Sequence, residues 1–113
     1  MTQQRLHIRP VRRLQGEVRV PGDKSISHRY AMLGALAPGL TEITHIAPGA
    51  DVASTLACIA ALGARVERPA EGVARILGVG GGGLRTPRGP LDAGNSGTTM
   101  RLLAGLVSGF PLH

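Results

Sequence analysis

The 113-residue sequence contains no tryptophan and only one tyrosine, one phenylalanine and one cysteine. With so few aromatic side chains it offers almost none of the platforms on which proteins that bind single-stranded nucleic acid stack bases. A lone cysteine, Cys58, excludes an internal disulfide, so a reducing, cytoplasmic compartment is expected. No run of apolar residues reaches the roughly 18 residues of a membrane span, and the first residues lead into no apolar signal core.

Basic residues outnumber acidic ones by 13 to 7, which gives a formal net charge of +6. This basicity indicates anionic partners. The scarcity of aromatic residues favours small phosphorylated or carboxylated metabolites, while a basic nucleic-acid-binding module, whose affinity would fall steeply with salt, stays open as an alternative. A hydrophobic fraction of 42% is enough for one aliphatic core in a chain of about one domain's length.

Hydrophobic patterning predicts strands and helices joined by short links. Strands are expected at 17–20, 41–46, 65–68 and 73–79. Helices are expected at 25–37, from an N-cap at Asp51 to a C-terminal glycine at Gly63, and from Asn95 or Ser96 to about 109. This mixture of elements predicts an α/β or α+β fold.

An apolar stripe on each predicted helix is expected to face the core. The stripes are Ile26, Tyr30, Leu33 and Ala37 in the first helix, Val52, Leu56, Ile59 and Ala60 in the second, and Met100, Leu103, Ala104 and Val107 in the third. Residues 110–113 follow the third helix abruptly, which is typical of a chain cut within a loop.

Residues 21–29 (PGDKSISHR) place a turn before a helix start that carries a hydroxyl and two basic side chains. Ser25 and Arg29 are four residues apart and share one helix face, and Lys24 lies just before them. The unpaired N–H groups and the dipole of a helix N-terminus favour an anion. The segment therefore predicts an anion site, although a capped helix with solvated basic residues would have the same pattern.

Residues 91–101 (LDAGNSGTTMR) form a second such segment. Asn95 and Ser96 are good helix caps, whereas Gly97 in the first turn lowers helix stability. A glycine is expected at this position where a ligand approaches the backbone closely. Thr98 and Thr99 add hydroxyls, and Arg101 follows one turn later, so two anionic groups are expected to bind the chain.

Other chemistries are excluded by spacing. A nucleotide-binding P-loop would need glycine where the sequence has Val18 and Asp23. The glycines at 78–83 match a dinucleotide-binding pattern, but the prolines at 87 and 90 forbid the helix that must follow it. His28 has no placed carboxylate and is expected on the helix surface or behind the site, and one cysteine makes no zinc site.

Residues 21–29 and 94–102 closely resemble the two N-terminal signatures of the 5-enolpyruvylshikimate-3-phosphate synthase family, and residues 51–63 are similar to its intervening helix. The resemblance covers nearly the whole chain. It implies a fold of βαβαββ units arranged as an inside-out barrel. Residues 1–113 would then form an incomplete N-terminal domain, with the rest of that domain and the second domain absent.

The resemblance also implies an activity. Members of the family transfer the enolpyruvyl group of phosphoenolpyruvate to the 5-hydroxyl of shikimate 3-phosphate and release phosphate, on the shikimate pathway to chorismate and the aromatic amino acids. They use no cofactor and no metal, and glyphosate inhibits many of them at the phosphoenolpyruvate site. The expected partners are these two substrates, with no nucleic acid and no membrane, and the parent protein is expected to be a monomer.

The resemblance implies roles for six residues of this chain. Shikimate 3-phosphate would bind Lys24, Ser25 and Arg29, and phosphoenolpyruvate would bind Lys24, Asn95, Gly97 and Thr98. The family's groups for proton transfer, and the arginine that binds phosphoenolpyruvate, fall beyond residue 113, so no catalytic residue is expected in this chain. We therefore expect the chain alone to bind weakly and not to turn over.

A related family that transfers enolpyruvate to UDP-N-acetylglucosamine shares the fold and is the nearest alternative. Its first motif is closer to Gly-Ala-Lys-Asn. Ser25 and Arg29 discriminate between the two families, because they suit a sugar-like acid that carries a phosphate.

Overall fold

Three helices and three strands follow the first twenty residues of the computed structural model, which describes residues 3–113. The elements are α1 (Lys24–Leu36), β1 (Pro38–Thr44), α2 (Ala50–Ala61), β2 (Arg65–Glu67), β3 (Val73–Val79) and α3 (Gly97–Val107), with a short 3-10 turn at Gly80–Gly82. This confirms the predicted mixture of helices and strands. None of the helices in residues 3–113 has the length and apolarity needed to cross a membrane.

The strands form one antiparallel sheet in the order β1-β3-β2. On the central strand, Ala74 and Ile76 are completely buried on the face of the sheet that packs against α1. On the opposite face, Arg75 lies directly across from Glu42 and forms an exposed ion pair of 2.7 Å. The core therefore lies between one face of the sheet and the helices, and α3 packs against α2 and α1.

The predicted strand at 17–20 is wrong. Within residues 3–20 the structure has neither helix nor strand, and every residue there is exposed, including Val18 and Val20. An alternating sequence becomes a strand only when a neighbouring strand completes its hydrogen-bond ladder. No such neighbour is provided by the described residues. The other three strands lie close to their predicted positions, and β3 spans the predicted residues.

The predicted core face of α1 is also wrong. Ile26, Tyr30 and Leu33 are each more than half exposed. The helix instead buries the small or polar side chains of its opposite face, together with one methionine: Ser27, His28, Ala31, Met32, Gly34 and Ala35. Small side chains let the helix approach the sheet closely. The buried face is therefore the one that allows the helix and sheet backbones to lie close together, and not the one with the largest apolar side chains.

Gly78 of β3 shows how close that approach is. A Cβ atom at Gly78 would lie 2.0 Å from the carbonyl oxygen of Ala37 and 2.3 Å from that of Gly34. A Cβ atom at Gly34 would lie 3.2 Å from the side chain of Thr41, which is a tight contact. The C-terminal end of α1 therefore packs directly against the sheet.

The stripes of α2 and α3 are confirmed in part. Val52, Leu56 and Ile59 are buried in α2, and Leu103 is buried in α3. Ala60, Met100 and Ala104 are exposed, contrary to prediction. Gly63 follows α2 with φ +117°, as expected of a C-terminal glycine.

Asp51 is not the N-cap of α2. That position belongs to Gly49, which makes no side-chain capping bond, and Asp51 lies in the first turn. Its carboxylate accepts a hydrogen bond from Lys24 of α1 instead.

Candidate functional site

The N-terminus of α1 is capped from within the first motif. The Asp23 carboxylate accepts a hydrogen bond of 2.8 Å from the amide of Ile26, and the Asp23 carbonyl accepts one of 3.0 Å from the amide of Ser27. Within residues 3–113, the amides of Lys24 and Ser25 have no acceptor. Two polarised N–H groups are therefore left facing outward at this helix end.

The basic and hydroxyl side chains predicted at this helix start are exposed on the first two turns of α1. The Arg29 guanidinium donates a hydrogen bond of 2.9 Å to the carbonyl oxygen of Ser25, so it folds back toward the helix start. The Lys24 ammonium is 3.0 Å from the Asp51 carboxylate of α2. Lys24, Ser25 and Arg29 are all exposed, and they form an open surface.

Asp51 is a residue of this surface that sequence reasoning placed only as a cap. Its side chain is one-third exposed, and the ion pair with Lys24 joins α1 to α2. An anion that binds Lys24 would have to share or displace this carboxylate. The negative charge of Asp51 therefore opposes anion binding at the N-terminal start of α1.

The second motif begins α3 with Ser96 as the N-cap. The Ser96 hydroxyl accepts a hydrogen bond of 3.1 Å from the amide of Thr99. Asn95 is exposed in the preceding turn and Thr98 is half-buried. A Cβ atom added at Gly97 would meet no atom within 4 Å. The backbone at Gly97 is thus open to approach.

A buried polar network connects the two motifs, and sequence reasoning did not find it. His28 Nδ1 is 2.6 Å from the Thr55 hydroxyl, which is 2.8 Å from the Thr99 hydroxyl. The Thr99 hydroxyl is 2.7 Å from that of Ser96 and 3.3 Å from the carbonyl oxygen of Asp51. His28, Thr55 and Thr99 are completely buried. The network therefore crosses from α1 through α2 to α3.

The network bears on two predictions. Of the two placements predicted for His28, the helix surface is wrong, because the side chain is completely buried behind the exposed residues of α1. The prediction that the Thr99 hydroxyl faces a ligand is wrong, because Thr99 is completely buried and faces inward. One signal was present in the sequence. Thr55 lies three residues after Val52 and four before Ile59, on the predicted apolar stripe, and a hydroxyl in such a stripe requires a buried partner.

The environment of His28 favours the neutral ring. Burial lowers the pKa of His28 below its usual 6.5, and the nearby charges of Lys24 and Arg29 lower it further, against an opposing effect of Asp51. Its Nε2 atom is buried and has no hydrogen-bond partner among residues 3–113. Since a buried N–H without an acceptor is costlier than a bare lone pair, the proton is assigned to Nδ1, which donates to Thr55.

Stability is expected to fall as the pH drops below about 6.5. Below that pH the unfolded chain binds a proton on His28 more readily than the folded chain does, which favours unfolding. Above that pH the ring is neutral in both states, and this loss of stability is absent. Urea unfolding measured from about pH 8 to about pH 5 should show this decline. The His28→Asn variant keeps a donor near Thr55 but does not titrate, so its decline should be shallower; equal slopes in the two proteins would contradict the assignment.

The described residues show no cluster of histidine, cysteine, aspartate and glutamate side chains that could hold a metal ion. Cys58 is buried, and its thiol lies 3.4 Å from the carbonyl oxygen of Asp92. Burial raises the pKa of the Cys58 thiol. The cysteine therefore takes the role of a small core residue.

These observations define an α/β protein in which two open helix N-termini are joined by a buried polar network. The sequence pattern of the family described as EPSP synthase (3-phosphoshikimate 1-carboxyvinyltransferase) matches residues 8–112. The chain belongs to the EPSP synthase family. This agrees with the resemblance in the two motifs, and it does not favour the alternative family that uses UDP-N-acetylglucosamine.

Named relatives give the same result. The chain is 60% identical over 100 residues to a 3-phosphoshikimate 1-carboxyvinyltransferase of Chloroflexus aurantiacus, covering 88% of this chain and 23% of the relative. It is 53% identical over 106 residues to that of Desulforamulus reducens, covering 94% of this chain and 25% of the relative. The chain thus spans about a quarter of the length of the curated relatives it matches.

A solved structure is similar as well. The structure of EPSP synthase from Acinetobacter baumannii matches with a TM-score of 0.76 and 47% sequence identity, over 82% of this chain and 21% of that chain. The sheet and helices described above are therefore similar to about a fifth of that enzyme.

Proposed function

We propose that this chain supplies part of the active site of a 3-phosphoshikimate 1-carboxyvinyltransferase. The enzyme transfers the enolpyruvyl group of phosphoenolpyruvate to the 5-hydroxyl of shikimate 3-phosphate and releases phosphate. The observation that carries the proposal is the pair of open helix N-termini on two helices that the buried network joins. Both substrates carry a phosphate and a carboxylate, and so suit such sites.

Shikimate 3-phosphate is assigned to the start of α1. Ser25 and Arg29 offer a hydroxyl and a guanidinium on one exposed face, and the adjoining amides lack acceptors within the described chain. Lys24 lies in the same turn and is assigned to both substrates. When an anion binds, the Lys24 ammonium either breaks its ion pair with the Asp51 carboxylate or contacts the carboxylate and the anion together.

Phosphoenolpyruvate is assigned to the start of α3. The space around Gly97 lets an anion reach the first amides of the helix, with Asn95 and Thr98 beside it. No cofactor, metal, nucleic acid or membrane is assigned to the reaction, and the parent protein is assigned to the cytoplasm as a monomer. Residues 1–113 are taken as part of its N-terminal domain.

Five of the six assigned residues are exposed and Thr98 is half-buried, and the relatives are about four times as long as the match. We therefore infer that further parts of the protein complete the site. The 113 residues alone should bind shikimate 3-phosphate in the roughly millimolar to micromolar range and form no product. Charge-assisted hydrogen bonds of about 1.5–3 kcal/mol each, less the cost of association, give this range.

Titration of the chain with shikimate 3-phosphate, followed through its backbone amide resonances, tests the proposal. Shifts should concentrate at residues 24–26, and shikimate without the phosphate should produce smaller shifts at the same ligand concentration. Phosphoenolpyruvate should shift residues 96–98. No response at millimolar ligand, together with tight and strongly salt-dependent binding of an oligonucleotide, would overturn the proposal in favour of the nucleic-acid module.

A further inference from the structure

Thr55 lies outside both motifs, yet its hydroxyl is the point at which they meet. It belongs to α2, is completely buried, and is 2.6 Å from His28 of α1 and 2.8 Å from Thr99 of α3. The Thr99 hydroxyl is 2.7 Å from Ser96, the cap of α3, and His28 immediately precedes Arg29 in α1. A displacement of Thr55 would therefore reach both helix ends.

The surroundings of Thr55 do not require a hydroxyl for packing. Its neighbours on the same face of α2, Val52, Leu56 and Ile59, are apolar and buried. A hydroxyl placed among them is stable only because both of its hydrogen bonds are made. Hydrogen bonds constrain distance and angle, whereas apolar contacts are not directional, so this pair of bonds restricts how α1 and α3 can shift or rotate relative to each other.

A second link between the same helices supports this constraint. The Thr99 hydroxyl also lies 3.3 Å from the carbonyl oxygen of Asp51, and the carboxylate of Asp51 holds Lys24. The start of α2 thus contacts α3 through its backbone and α1 through its side chain. Thr55 and Asp51 together join the two helix ends one turn apart along α2.

We propose that Thr55 is a positioning residue that sets the spacing and orientation of the two helix N-termini, so that both substrates can be held side by side. This inference rests on the proposed function for the identity of the ligands. Thr55 touches neither ligand and acts through His28 and Thr99.

The test compares three variants of the 113-residue chain. Thr55→Val keeps the shape and removes both hydrogen bonds, Thr55→Ser keeps the hydroxyl, and Ile59→Val is a destabilising control one turn further along the same buried face. Dissociation constants for shikimate 3-phosphate and for phosphoenolpyruvate are measured by amide resonances of the folded protein. Both should rise about ten-fold in Thr55→Val, return to within about two-fold of the original in Thr55→Ser, and stay within about two-fold in Ile59→Val. A Thr55→Val protein that is less stable but binds both ligands as before would overturn the proposal.

A spectroscopic measurement needs neither a ligand nor a stable Thr55→Val protein. In the unmodified chain, the amide resonances of Ser96 and Thr99 should follow the titration of the His28 ring, with the ring nitrogens showing the shift pattern of a hydrogen-bonded Nδ1–H. Thr55→Val, where it folds, should abolish the response at Ser96, and Thr55→Ser should keep it. If the chain binds neither substrate but the response is present, the proposed function fails and the linkage stands. If Ser96 and Thr99 do not respond in the unmodified chain, the inference fails whatever the chain binds.

Discussion

Replacing Gly22 with alanine is expected to lower the free energy of unfolding by about 3 kcal/mol or more. A Cβ atom at this position would lie 1.6 Å from the carbonyl oxygen of His45 and 2.8 Å from its carbonyl carbon. Both are backbone atoms of the residue that follows β1, so no side-chain rotation can relieve the clash. The turn before α1 would have to move, and Asp23, which caps the helix, would move with it. Urea denaturation followed by circular dichroism measures the loss.

Gly97→Ala is the matched control, since it replaces the glycine of the second motif. The added methyl group would meet no atom within 4 Å, and alanine is the better helix former. Stability should stay the same or rise by up to about 1 kcal/mol. Binding of phosphoenolpyruvate should nevertheless weaken, because the methyl group would occupy the approach to the first amides of α3. A loss of stability in Gly97→Ala as large as in Gly22→Ala would contradict this division between a structural and a ligand-facing glycine.

Lys24→Ala is expected to raise the dissociation constant for shikimate 3-phosphate by about 10- to 100-fold, since a charge-assisted hydrogen bond contributes about 1.5–3 kcal/mol. The free energy of unfolding should change by less than about 1 kcal/mol, because both members of the Lys24–Asp51 pair are partly exposed to solvent. Calorimetric or resonance-based titration measures the first effect and urea unfolding the second. An unchanged dissociation constant would remove Lys24 from the site.

Asp51→Asn is the complementary variant and should act in the opposite direction. Without the carboxylate, the Lys24 ammonium is released and the local negative charge is removed. Affinity for shikimate 3-phosphate should therefore rise by about two- to five-fold, which corresponds to an exposed ion pair of about 0.4–1 kcal/mol. If Asp51→Asn weakened binding instead, the carboxylate would be holding Lys24 in place for the ligand rather than competing with it.

Local features of the site were predictable because they depend on short segments. Ser96 as a helix cap and the start of α1 beside Lys24 follow from turn and capping chemistry within a few residues. The similarity of residues 21–29 and 94–102 to known signatures added the family, which the comparison over residues 8–112 confirmed. The roles of Lys24, Arg29 and Gly97 toward substrates stay predictions.

The buried face of α1 could not be read from the same sequence. Counting large apolar side chains selects Ile26, Tyr30 and Leu33, all of which are exposed. The deciding quantity is the distance between α1 and the sheet, which is short enough at Gly78 to exclude even a methyl group. That distance is set by how the elements pack, and no periodic pattern in the sequence indicates it. The predicted strand at 17–20 failed for a related reason, since pairing depends on a neighbour that the described chain does not provide.

The sequence by itself determined the composition of the core, the mixture of helices and strands, and the two polar turns that begin α1 and α3. Only the tertiary structure decided that His28, Thr55 and Thr99, from three separate helices, meet in one buried network. Capping and turn formation act over three or four residues, whereas this network joins positions 27 and 44 residues apart. Its hydrogen bonds depend on how the helices pack, and no local pattern encodes that arrangement.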